Sequence, residues 1–119
     1  MTKTLTQESL QEFYGTECWY RYTPMPAYLY TDGMRHVAET GDAYWLIDTI
    51  FSHQLDPKVI AEKFQQWVLT VNSDHTGNLV CEDGNCQEVT RQTLGYCDFP
   101  LPTITLWLEN NTLYLPSER

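Results

Sequence analysis

Long apolar runs are missing from this chain of 119 residues. The densest, AYWLIDTIF at 43–51, falls well short of the roughly 20 apolar residues that cross a bilayer, so no membrane-spanning helix is expected. The opening residues, MTKTLTQESLQEF, lack the apolar core of a signal peptide. A cytoplasmic location, with the four cysteines reduced, is the expectation. Basic residues are scarce: seven Lys and Arg stand against sixteen Asp and Glu, for a formal net charge of -9. Such a surface repels phosphate, which argues against direct binding of nucleic acid. Glycine is sparse too, and neither GxGxxG nor GxxxxGK[ST] occurs, so no phosphate-cradling loop is expected. The hydrolase and zinc-protease patterns GxSxG and HExxH are also absent. No repeat, low-complexity stretch or linker divides the chain, and residues 1–119 read as one domain.

What is present is an architecture. On a helical wheel, Ala43, Leu46, Ile47, Ile50 and Phe51 fall together, while Asp48, Ser52 and His53 lie opposite. This spacing predicts a central buried helix, capped by Asp42 and ended near Gln54 by Asp56-Pro57. Before it, Thr6 caps a short helix with Leu10, Phe13 and Tyr14 facing inward and Gly15 at its end. CWYRYT at 18–23 and residues 28–31 read as an aromatic hairpin, and Asp32-Gly33 leads into a short helix over 34–39. Asp56-Pro57 opens another helix over about 57–63.

From Phe64 the period changes to two. Trp67, Leu69 and Val71 alternate with Val68, Thr70 and Asn72 in a first strand whose start is left open, and further strands are expected at 78–82 and 85–91, joined through Asp83-Gly84. A final hairpin, 103–109 with 112–115, turns at Asn110-Asn111. Helices followed by strands indicate an α+β fold. The N-terminal short helices and the aromatic hairpin come first, and the central helix packs on a C-terminal antiparallel sheet.

The runs FYGTE (13–17), YTDG (30–33), AYWLID (43–48), CEDGN (81–85), DFPL (98–101) and LPSE (115–118) resemble a family of small bacterial and phage proteins of unknown function. The resemblance covers most of the chain. It implies a small single-domain protein, of the kind carried by plasmids or other mobile elements, and it brings no activity or site residues.

A two-residue Asp83-Gly84 turn sets Cys81 opposite Cys86 with α-carbons about 4.5 Å apart, near the short limit for a disulfide. A zinc site would draw on Cys81 and Cys86 with Cys97, Cys18 or His75, but only one cysteine pair has useful spacing. Reduced, packed thiols are the plainer reading, and neither metal nor cofactor is expected. For a Cys-His nucleophile, no cysteine lies in a context that lowers its pKa. Aromatics are the compositional outlier, with four Trp and eight Tyr. Trp19, Tyr20, Tyr22, Tyr28 and Tyr30 crowd the hairpin at 18–30, and Tyr and Trp are favoured at interfaces. Strand alternation exposes one set, Trp19 and Arg21 or Tyr20 and Tyr22, more than the other.

The expectation is a non-enzymatic binding protein that meets a protein partner or a second copy of itself through this hairpin. The alternative is a small enzyme with a pocket between the helix pair and the sheet, led by His36, Asp48 and His53. On the wheel Asp48 is exposed, with a tyrosine or with Arg35 or Arg21 as its partner. A third reading is an acidic inhibitor of a basic or DNA-binding protein from a mobile element. It needs the acids on one stripe, and in the sequence they are spread.

Overall fold

Alternation in residues 64–71 sets the layers of the molecule. Gln65, Trp67 and Leu69 are buried, while Phe64, Gln66 and Val68 between them are half-exposed. The structure, a computed structural model, describes residues 5–118. In chain order it contains α1 (Gln7–Leu10), β1 (Trp19–Arg21), β2 (Leu29–Thr31), α2 (Asp32–Thr40), α3 (Tyr44–Ser52) and α4 (Pro57–Ile60). β3 (Phe64–Val71), β4 (Gly77–Glu82), β5 (Glu88–Leu94), β6 (Thr103–Glu109) and β7 (Thr112–Tyr114) follow. The strands form one sheet in the order β1-β2-β7-β6-β3-β4-β5. Every pair of neighbours is antiparallel except β2 and β7, which run parallel. The fold is α+β, and the aromatic hairpin joins the main sheet at its edge. Among the described residues no helix is long and apolar enough to cross a membrane.

One face of the sheet carries the core. Trp67 lies opposite Cys81 and Leu106, and Leu69 opposite Leu79 and Ile104. Met34, Val37 and Ala38 of α2 and Leu46, Ile47, Ile50 and Phe51 of α3 are buried in the same cluster. Each such side chain contributes roughly 1.5–3 kcal/mol by leaving water. The central helix therefore does what its apolar face requires. Two buried amides also sit in this layer. Gln54 and Gln65 exchange hydrogen bonds of 2.8 Å in both directions. Their spare groups meet the carbonyls of Ile50 and Val59 and the indole N–H of Trp67. On the other face Trp107 meets Phe64 and Tyr114 edge-on, at 5.5 and 6.1 Å between ring centres.

Several local expectations are corrected. Asp42 does not cap α3. It takes a φ of 52°, and Ala43 holds the cap position without a side-chain bond. The amides of Gly41 and Ala43 reach back to the carbonyls of Val37 and Ala38, a helix-ending motif in which Asp42 is the left-handed residue. Closing α2 thus took precedence over opening α3. Gly41 is small for another reason: a Cβ there would lie 2.8 Å from the Val37 carbonyl oxygen. Helix α1 ends at Leu10, so Gly15 does not terminate it, and Tyr14 is 81% exposed instead of facing inward. Helix α2 starts at Asp32, capped by the Thr31 hydroxyl, and α4 stops at Ile60.

The Asp83-Gly84 turn is longer than two residues. The Cys86 amide bonds the Asp83 carbonyl, and Asp83 and Gln87 close the loop with Cys86 at a φ of 61°. This is a three-residue hairpin loop whose last residue is left-handed. The Asp83 carboxylate holds it by accepting the amides of Asn85 and Gln87. Strand β5 therefore begins at Glu88, and Cys81 faces Thr90, not Cys86. Asn110 and Asn111 both take positive φ, as the expected two-residue turn requires.

Candidate binding site

The hairpin pairs Trp19 with Thr31, Tyr20 with Tyr30 and Arg21 with Leu29. Alternation leaves Trp19 and Arg21 exposed, with Trp19 at 57%, and turns Tyr20 to the helix side, half-buried. Tyr20 stacks on Tyr30 with ring centres 5.5 Å apart, and the Arg35 guanidinium lies over the Tyr20 ring, 4.6 Å from its centre. Tyr22 and Tyr28 turn inward onto Phe51, at 4.8 and 5.1 Å. The five aromatics therefore do not form one display. Tyr28 is buried, Tyr22 and Tyr30 are packed, and Trp19 and Tyr20 face two different hollows.

A polar clasp fixes this edge. The Asp32 carboxylate accepts the backbone amides of Glu17 and Cys18 and the Tyr20 hydroxyl, at 2.9, 3.3 and 2.9 Å. These bonds, the Glu17 amide first and the Tyr20 hydroxyl next, hold its pKa below the usual 3.8. The Thr16 hydroxyl accepts the Asp32 amide and donates to the Cys18 carbonyl. Behind it, the Glu118 carboxylate accepts from the Thr31 hydroxyl and from the amides of Gly33 and Leu115. A Cβ on Gly33 would lie 2.6 Å from a Glu118 carboxylate oxygen, so only glycine admits that contact. Thr16, Asp32, Gly33 and Glu118 belong to the runs FYGTE, YTDG and LPSE. Sequence reasoning noted those runs but did not see that they meet.

Beside Tyr20 opens a cleft of about 670 Å³ between the 12–17 segment, β1 and α2. Its walls include Phe13, Tyr14 and Tyr20, the carboxylates of Glu12, Glu17, Asp32 and Glu39, and the side chains of Arg35 and His36. Arg35 is paired with Glu39 at 2.8 Å, which lowers the Glu39 pKa and raises that of the guanidinium. On the opposite face Trp19 borders a hollow of about 330 Å³ with Tyr114, Thr112 and Glu109.

The other candidate residues are dispersed. His36 lines the cleft, its ring 5.1 Å from that of Phe13. Its Nε2 lies 3.2 Å from the Ser9 hydroxyl, but that hydroxyl donates to the Thr6 carbonyl and accepts the Thr6 amide in the α1 cap. With its one proton committed, Ser9 can only accept from His36, the reverse of a nucleophile–base pair. Asp48 is exposed and accepts the Tyr22 hydroxyl at 2.7 Å; Arg35 is engaged with Glu39 instead. Burial, followed by the bond to Asp48, pushes the Tyr22 hydroxyl pKa up to about 12. His53 bonds Gln92 at 2.7 Å and packs on Trp67. All four cysteines are free thiols, Cys18 and Cys86 exposed and Cys81 and Cys97 buried. Among the described residues no group of three or more His, Cys, Asp or Glu side chains is placed to hold a metal ion.

Fold and site together define a small α+β protein: one mostly antiparallel sheet, helices burying one face, and an aromatic hairpin clasped at the edge beside an acidic cleft. The chain belongs to a family of unknown function, DUF6876, whose family model matches residues 4–119. That agrees with the resemblance to a small single-domain family of unknown function. No curated protein and no solved structure matches the chain.

Proposed function

We propose that the protein is a non-enzymatic, cytoplasmic binding protein whose recognition surface is the hairpin edge. Trp19 is its anchor and Tyr20 the wall of the adjoining cleft. The observation that carries this reading is the 57% exposure of Trp19 on a strand whose neighbours are tied down by Asp32, Thr16 and Glu118. A tryptophan side chain has only two rotatable bonds, so it offers a large contact area at low cost in side-chain freedom, which is what an interface anchor needs. Tyr22 and Tyr28 serve the reading indirectly, by seating the hairpin on Phe51.

The test compares wild type with Trp19→Ala in affinity capture from the source cells, with native mass spectrometry of the purified chain alongside. The expected result is a partner, or a second copy, lost in the variant while the unfolding free energy stays within about 0.5 kcal/mol, as for an exposed site. A partner retained by Trp19→Ala at unchanged stability would sink the hairpin as the binding surface.

A further inference from the structure

Resting on that reading, we infer that the cleft beside Tyr20 takes an arginine side chain from a basic segment of a partner protein. The cleft already holds one guanidinium in the way proposed. Arg35 lies 4.6 Å over the Tyr20 ring and is paired with Glu39 at 2.8 Å, so an aromatic surface and a carboxylate act on it together. The cleft is larger than that pair needs, at about 670 Å³. Its lining also includes Glu12 and Glu17, both exposed, whose carboxylates bond to no other described residue. Tyr14 at the rim is 81% exposed. Four carboxylates in the lining against the one guanidinium of Arg35 leave the cleft acidic. The whole chain, at -9, adds a long-range attraction for basic partners.

Arginine fits this lining better than lysine. A guanidinium is planar, stacks on aromatic rings and forms forked bonds to carboxylates, whereas an ammonium is a compact, strongly hydrated charge. A protein segment fits better than a free cation. Sites for small molecules enclose most of their ligand, whereas the rim here is as open as Tyr14 is exposed. Trp19, next to Tyr20 in β1, points to the opposite face, so a segment seated in the cleft reaches it only by passing around the sheet edge.

The test is calorimetric titration of the full chain with the peptide acetyl-Gly-Arg-Gly-Arg-Gly-amide and its lysine and citrulline counterparts. The arginine peptide should bind, the lysine peptide should bind about threefold more weakly, and the uncharged citrulline peptide should not bind. Glu12→Gln with Glu17→Gln should weaken the arginine peptide about fivefold. Tyr14→Ala should weaken it about threefold. Glu88→Gln with Asp98→Asn, which removes the same charge outside the cleft, should change it by less than about twofold in physiological salt.

Equal binding of the arginine and lysine peptides would overturn the inference, as would equal losses from the two double substitutions, which would mean net charge alone. Absence of peptide binding, with a partner still lost in Trp19→Ala, would remove arginine recognition and leave the hairpin reading standing. A partner retained by Trp19→Ala, together with no peptide binding, would remove both.

Discussion

Strand β3 pairs with β6 along seven residues and with β4 along six, whereas β1 and β2 pair along three. The long strands share buried Trp67, Leu69, Leu79 and Leu106 on one face. The hairpin has little such cover. It is held by Asp32, Thr16 and Glu118 reaching backbone amides and hydroxyls, and by Tyr22 and Tyr28 resting on Phe51. Apolar burial is insensitive to pH, whereas a carboxylate clasp is not. The edge that exposes Trp19 is thus the part whose stability can change while the sheet stands, as expected where binding surfaces are drawn from less stable regions.

The sharpest way to break the contrast is in the core. Trp67→Ala removes a fully buried indole and should cost about 3–5 kcal/mol in urea unfolding. A loss below 1 kcal/mol would mean that the sheet does not depend on this cluster. Next comes the buried amide pair. Gln65→Leu strands Gln54, the Val59 carbonyl and the Trp67 N–H, and should cost about 2–4 kcal/mol. Adding Gln54→Leu should restore part of it, since removing both partners leaves fewer unpaired groups. A further loss in the double variant would contradict the pairing.

Acid should act on the edge before the core. Asp32 has a folded pKa below its usual 3.8, so its contribution is complete above that value. It is lost as pH falls through the lower folded value. Amide exchange at 17–21, followed from pH 6 to pH 2.5 with the intrinsic chemical rate removed, should lose protection in this window while residues of β3 keep theirs. Asp32→Asn should be unprotected at every pH, and equal acid sensitivity in β3 would erase the distinction. The smallest effect is chemical. Brief alkylation of the native protein should modify the exposed Cys18 and Cys86 and leave Cys81 and Cys97. Burial pushes the Cys81 thiol up to about 12, so little thiolate exists there at neutral pH. Rapid modification of Cys81 would show that β4 opens readily.

Local patterns were the legible part. The 43–51 wheel marked the buried face of α3, the alternation around Trp67 and Leu69 marked β3, and Asn110-Asn111 marked the turn before β7. The errors fell where two local signals competed. Asp42 can cap a following helix or end the preceding one, and the three-residue connection between α2 and α3, with Asp42 at its centre, selected the second. Asp83-Gly84 suits a two-residue turn, yet the Asp83 carboxylate bonds two amides further on and draws Cys86 into the loop. That single shift separates Cys81 from Cys86. Of the candidate site, strand alternation made it legible that Trp19 and Arg21 point opposite to Tyr20, but not which set is exposed, nor the inward turn of Tyr22 and Tyr28, which depends on Phe51 arriving from α3.

By itself the sequence determined the α+β class, the buried helix and the acidic surface, because periodicity, turn chemistry and net charge are properties of neighbouring residues or simple counts. Only the tertiary structure decided that Glu118 reaches Gly33 across 85 residues and that Asp32 gathers Glu17, Cys18 and Tyr20. It also decided that Glu12, Glu17 and Tyr14 line one cleft with Arg35. Those contacts join segments that carry no mark of one another in the sequence, and the one to Glu118 forms only once β7 has paired with β2.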